Sequence, residues 1–260
     1  MEYDDLVNSI NTGLKTTKIY DDAFGPKPGF DLQEVNAWTY WQGLGVRRPR
    51  IMVLGQDWGS IQKGKAYFNA IDDMLRTDTL PDKVEYFKYV PKIEEGGRDF
   101  VTDLNLAAYL KYLGKYDDVL HVRYDDLFFT NLLPGYRIDS KSTGGFKAVW
   151  VTKQVKEDFI KLLDILQPQV VICLGRNTFT QAAQIMGKKG VLKGKNWNDF
   201  LNQETEPIEV KTEVGNITHL FAVAHPGYFG MLNRSKEDNE KNWKNLKKWL
   251  EANPRFSDKR

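Results

Sequence analysis

The chain has 260 residues, of which 41% are hydrophobic, 13% aromatic and 28% charged. That balance supports a substantial core and excludes global disorder. The net charge of +2 neither demands nor excludes a polyanionic partner, and with Cys173 as the only cysteine there can be no intramolecular disulfide and no cysteine-based metal or iron–sulfur site.

The first residues, Met1-Glu2-Tyr3-Asp4-Asp5, are acidic and carry no apolar core, so no signal peptide is expected. The aromatics Phe24, Phe30, Trp38, Tyr40 and Trp41 mark residues 1–49 as an ordered helical extension packed on the domain. The apolar run 50–54 then leads into Gly55-Gln56-Asp57-Trp58. Residues 60–99 mix Gly, Pro and charge and give no clear element. Residues 100–113 predict a helix with Leu104, Ala107, Ala108 and Leu110 available for packing. A second apolar run, 127–133, holds Asn131 and opens onto Pro134-Gly135-Tyr136-Arg137. In 148–166, Val151, Val155, Phe159, Leu162, Leu163 and Leu166 recur on one face of a long helix, which Pro168 stops. Runs 170–174 and 220–224 follow, ending in Gly175-Arg176-Asn177 and His225-Pro226-Gly227. Between them, 187–216 is rich in Lys, Gly and Asn and reads as loops or a hairpin insertion. Ser235 with Asp238 forms a capping-box pattern for a last helix striped by Trp243, Leu246, Trp249 and Leu250.

The four apolar runs are continuous rather than alternating, as strands buried on both faces of a parallel sheet are. With helices between them they predict one three-layer α/β/α domain over 1–260, with a central, mostly parallel four-stranded sheet. No apolar stretch reaches about 18 residues, so no membrane span is expected; the chain reads as a cytoplasmic monomer.

In such sheets ligands bind beyond the carboxyl ends of the strands, where these polar turns fall. Asp57 can cap the next helix or act as a general base; alone, the capping role is the commoner. His225 alone is more often a satisfied structural histidine than a catalytic one. Asn131, inside an apolar run, either braces the backbone or reads a ligand. Phe68 is most cheaply read as core. Gly175-Arg176 can form a phosphate-binding turn, but it lacks a Walker lysine and a full Gly-x-Gly-x-x-Gly. The lysines of 187–195 fit a solvated loop better than a phosphate site.

The order of these motifs resembles the uracil-DNA glycosylase superfamily over roughly residues 50–250. Gly55-Gln56-Asp57 looks like the opening of the family 1 water-activating motif. Phe129-Thr130-Asn131-Leu132-Leu133 looks like the strand with the uracil-reading asparagine. Val170-Val171-Ile172-Cys173-Leu174-Gly175 looks like the third core strand and its turn, and His225-Pro226-Gly227 like the His-Pro-Ser motif before the DNA-inserting loop. The resemblance implies hydrolysis of the N-glycosidic bond of a flipped-out uracil or related damaged base in single- or double-stranded DNA, with neither metal nor cofactor. It implies Asp57 and His225 as catalytic residues, and Gln56, Asn131 and a stacking Phe68 (or Tyr67) as substrate contacts. Pro226, Gly227, Tyr228, Phe229, Met231, Leu232 and Arg234 become DNA contacts, the aromatic and aliphatic ones as wedge and Arg234 on a phosphate. The chain departs from family 1 where Trp58, Gly59 and Ser60 replace Pro, Tyr and His, and where Gly227 replaces a serine. Gly59 opens the space that the missing tyrosine closes against a thymine methyl, as in the mismatch-specific and thermostable branches; the single cysteine sets the chain apart from the iron–sulfur branch. The alternatives are the same fold binding nucleic acid or a partner without base excision, and a nucleoside or nucleotide hydrolase.

Overall fold

The structure, a computed structural model, describes residues 2–3, 5–6, 9–10, 48–57, 101–113, 127–133, 146–203 and 206–253. Its elements in chain order are β1 (Ile51–Gly55), α1 (Val101–Leu110), β2 (Leu127–Asn131), α2 (Lys153–Leu166), β3 (Val170–Leu174), α3 (Arg176–Ile185), α4 (Trp197–Asn202), β4 (Ile208–Lys211), β5 (Ile217–Val223), α5 (Tyr228–Leu232) and α6 (Lys236–Ala252), with short 3-10 turns at Lys111–Leu113 and Ala148–Trp150. The sheet has the order β2-β1-β3-β5-β4. The first four of these are mutually parallel, and β4 runs antiparallel along the β5 edge. The four expected strands are present and a fifth, β4, joins them.

Side chains alternate between two helical layers, as the period of 2 requires. Met52, Leu54, Phe128, Val171, Cys173, Leu220 and Ala222 face a core built with α2, α3 and α4. Ile51, Val53, Phe129, Ile172, Leu174, Phe221 and Val223 face α1 and α6. β1 and β3 are buried along their whole length, because each lies between parallel neighbours and under helices on both faces. This is the three-layer α/β/α architecture. Tyr3, Leu6 and Ile10 are buried in the α2–α4 layer, with the Tyr3 ring edge-on to Phe128 at 5.9 Å. The start of the N-terminal extension therefore packs against a face of the sheet.

The helices begin and end where their local chemistry dictates. Thr152 caps α2 by accepting from the Val155 N–H (3.2 Å); Gln167 closes it in a left-handed conformation (φ 49°), and Pro168 follows. The expected stripe of Val155, Phe159, Leu162, Leu163 and Leu166 is the buried face. Ser235 caps α6 by accepting from the Asp238 N–H (3.0 Å), and Trp243, Leu246 and Leu250 are buried beneath it, while Trp249 is half-buried against the same core. Trp243 stacks on Tyr109 of α1 with ring centroids 5.7 Å apart, which ties the two helices of that layer together. In α1 the buried contacts come from Leu106, Tyr109 and Leu110, with Leu113 just beyond. Ala108 is only half-buried, and the Leu104 and Ala107 side chains lie outside the described residues. Among the described residues of segment 187–216, both a loop and a hairpin strand occur, with a short helix between them. Three glycines and Lys193 take positive φ in its first part, and its later part holds α4 and the β4 half of a hairpin.

Candidate active site

The parallel strands all end on one edge of the sheet, and four polar turns meet there. β2 ends in Asn131, β1 runs into Gln56 and Asp57, β3 into Gly175, Arg176 and Asn177, and β5 into His225. Because β3 separates β1 from β5, the Asp57 and His225 strands stand roughly 10 Å apart, two strand spacings. Asn131 flanks the opposite side of β1, directly paired with Gly55. It is half-buried, and an ideal Cβ on Gly55 would stand 2.1 Å from its Oδ1. The carboxamide thus occupies the space that any side chain at 55 would need.

His225 is fixed from three directions. The Gly227 N–H donates to its Nδ1 (3.0 Å). A backbone amide can only donate, so Nδ1 carries no proton; the imidazole is the neutral tautomer with N–H at Nε2. Solvent reaches the side chain, yet protein crowds its backbone side. A Cβ on Gly230 would lie 2.0 Å from the His225 carbonyl oxygen, and one on Gly175 (φ +90°) would lie 3.3 Å from the His225 Cβ. Desolvation by these surroundings holds the His225 pKa below its ordinary value, while the Asp57 carboxylate acts in the opposite sense. The two side chains are therefore within electrostatic reach of each other. From below, Asn105 of α1 donates its Nδ2 to the Pro226 carbonyl (2.7 Å).

Asp57 is also braced. Gln56 Nε2 donates to Asp57 Oδ2 (2.8 Å), and Asn177 Nδ2 donates to Gln56 Oε1 (3.1 Å). This chain of amides joins the first turn of α3 to the end of β1. Trp58, Gly59, Ser60 and Phe68 lie outside the described residues, as does the helix start that Asp57 could cap.

The segment after His225 forms the five-residue α5, whose N-cap is Gly227. Pro226 and Gly227 are buried, so they shape the turn rather than present a surface; Gly227 offers only its amide, already given to His225. Phe229 and Leu232 are 59% and 63% exposed, which marks them as the apolar groups able to enter a partner. Met231 is not one of them: its Sδ accepts from Tyr109 Oη (3.3 Å) and Asn239 Nδ2 (3.5 Å), and its side chain packs on the α1–α6 core. The Tyr228 side chain lies outside the described residues. Arg234 corrects the expectation of a phosphate contact. It is buried, Nη1 donates to Asn202 Oδ1 (2.7 Å) and Nη2 to the Asp238 carbonyl (3.0 Å), so its guanidinium ties α4 to the start of α6 instead of facing solvent. Arg176, by contrast, is exposed at the rim beside Gly175. The lysines at 188, 189, 193 and 195 are exposed on the loop after α3, as a solvated loop requires.

Asn105 and Gly230 are site-shaping residues beyond those picked out from sequence, and neither carries a local signal; Gly175 and Asn177 belong to a turn the sequence marked, but their contacts with His225 and Gln56 were not legible there. Among the described residues no cluster of three or more His, Cys, Asp or Glu is arranged to hold a metal ion, and no helix is long and apolar enough to cross a membrane. A depression of about 360 Å³ on the outer face of α6 is lined by Glu237, Glu240, Lys241, Lys244, Asn245 and Lys248. It is the solvated face of one helix, and these residues take no part in the polar convergence at the strand ends.

The fold and this edge define an α/β/α protein with an acid, a carboxamide and a neutral imidazole gathered at the carboxyl ends of its strands. No protein-family model and no curated protein sequence matches the chain.

Proposed function

We propose that the protein is a uracil-DNA glycosylase-like N-glycosidase that hydrolyses the bond between a flipped-out uracil, or a related damaged base, and its sugar, acting as a cytoplasmic monomer on single- or double-stranded DNA. The observation that carries this reading is the gathering of Asp57, Asn131 and a neutral His225 at the carboxyl ends of β1, β2 and β5 on one edge of the sheet. In the reaction the bond from sugar C1′ to the base nitrogen breaks and its electron pair leaves with the base. Asp57 stabilises the cationic sugar and orients the water that attacks C1′. The Nε2–H of His225 donates to the base oxygen on which negative charge collects; a neutral donor suits this role because it takes no proton of its own. Asn131 reads the edge of the extruded base, and a site built on such hydrogen bonds penalises bases that leave them unmade. Phe229 and Leu232 support the extrusion as apolar wedges beside the gap.

The test is base release from oligonucleotides carrying uracil opposite guanine, opposite adenine and in single strands, scored as abasic sites. Asp57→Asn and His225→Leu should each lower the rate about 100-fold or more. An unaltered rate in both variants would sink the assignment of roles. No release by the wild type from uracil, hypoxanthine, xanthine or alkylated uracils would leave a DNA-binding module as the better description.

A further inference from the structure

We infer that Asn177 is a positioning residue for the reaction, acting through Gln56 to hold the Asp57 carboxylate. This rests on the glycosylase reading above for its catalytic consequence, though not for its geometry.

The argument is one of hydrogen-bond polarity. An ionised carboxylate can only accept, so the Gln56 amide must turn its NH2 toward Asp57. That leaves Gln56 Oε1 pointing away, where it needs a donor, and Asn177 Nδ2 stands 3.1 Å from it. Rotating the Gln56 amide by half a turn would set its oxygen against the carboxylate and its NH2 against the Asn177 NH2. Two favourable contacts would become two repulsive ones. The acceptor-only end of the chain therefore sets the direction of every bond in it, and Asn177 locks that direction from the far end.

The placement also couples two strands. Asn177 lies in the first turn of α3, directly after the Gly175 turn that packs against His225, whereas Gln56 and Asp57 continue β1. The amide chain thus links the acid's turn to the turn that packs against the histidine. Asn177 is itself exposed, and its backbone carbonyl accepts from the Thr180 hydroxyl (3.2 Å) within the first turn of α3. Substitutions there leave the core untouched.

The decisive variant is Asn177→Asp, which keeps shape and reverses polarity. Gln56 must then turn its NH2 to one carboxylate or the other and cannot serve both without presenting oxygen to oxygen. On uracil-containing oligonucleotides, Asn177→Ala should lower kcat about 10-fold with KM little changed, and Asn177→Asp should lower it further. In a Gln56→Ala background neither substitution should have any additional effect, because the route to Asp57 is already cut. A role in packing or in DNA contact alone predicts instead that the losses add, or that KM rises. A second readout needs no activity: the side-chain amide protons of Gln56 in 15N-labelled protein. In the wild type they should show the slow exchange of an amide hydrogen-bonded to Asp57; in Asn177→Asp that coupling should vanish while the melting temperature holds. Unchanged Gln56 amide signals in Asn177→Asp would overturn the inference whether or not the protein releases a base. Absence of base release with the amide coupling present would overturn the catalytic reading alone.

Discussion

Gly55 and Asn131 are paired across β1 and β2, and the Asn131 carboxamide oxygen fills the place where a Cβ on Gly55 would stand, at 2.1 Å. The strand end is shaped around that amide. Gly55→Ala must push it aside, so base release should fall at least about 10-fold, the cost of one lost specific hydrogen bond to the base. Melting should drop by the equivalent of about 1–3 kcal/mol, as for overpacking elsewhere. Loss of stability with unchanged selectivity among bases would remove Asn131 from the reading role.

Gly230 does for His225 what Gly55 does for Asn131. A methyl group at 230 would meet the His225 carbonyl oxygen at 2.0 Å, so Gly230→Ala should displace the His225-Pro226-Gly227 turn. The expected result is a large fall in kcat, measured alongside the His225 ring resonances, which should shift in the same variant.

The neutral His225 gives a pH prediction. Its folded-state pKa lies below the ordinary 6.5 of an unfolded histidine, so on acidification the unfolded chain takes up the proton first. Above about 6.5 both states are neutral and the group leaves stability unchanged; as pH falls from there toward the folded pKa, stability declines. Nitrogen chemical shifts should report the Nε2–H form at neutral pH and a titration midpoint lower than that of the same histidine in urea. A midpoint above 6.5 would contradict the lowered pKa, and a neutral form with its proton on Nδ1 would contradict the assigned tautomer and its role.

Phe229 and Leu232 should behave differently from Met231. The two exposed side chains can be cut to alanine within about 0.5 kcal/mol of wild-type stability. Their loss should slow release from duplex DNA more than from single strands, since only the duplex requires extrusion. Met231→Ala should instead lower stability by about 2 kcal/mol or more through the half-buried contacts it leaves. Equal effects on duplex and single strands would exclude the wedge role.

Arg234→Ala should destabilise the protein by about 2–3 kcal/mol, since it removes a buried guanidinium whose two charged hydrogen bonds join α4 to the start of α6. The slope of DNA affinity against salt should stay at its wild-type value, whereas Arg176→Ala should reduce it by about one phosphate contact. A reduced slope in Arg234→Ala would restore the arginine to the DNA surface.

The layer architecture was legible because it depends on local patterns. Continuous apolar runs at 50–54 and 170–174 can be satisfied only between two layers, and the stripe from Val155 to Leu166 only by one helix face. β4 falls in the segment read as loops or a hairpin insertion, and the choice between the two was not legible because a four-residue alternation with one fully buried side chain, Val210, is too short a signal; its backbone pairing to β5 makes it a strand. Arg234 shows the opposite failure. The resemblance implied a phosphate contact for it, and Asn202, distant in sequence, accepts from the guanidinium instead.

By itself, then, the sequence determined the order of buried strands and the residue types at their ends, since burial and turn chemistry act over a few neighbours. Only the tertiary structure decided how those ends work together. The sheet order separates Asp57 from His225 by one strand, Gly227 sets the imidazole tautomer, and Asn177 reaches Gln56 across 121 positions of chain. The last two are directional contacts of a few ångströms between particular polar atoms, and a contact of that kind leaves no periodic trace along the sequence from which it is built.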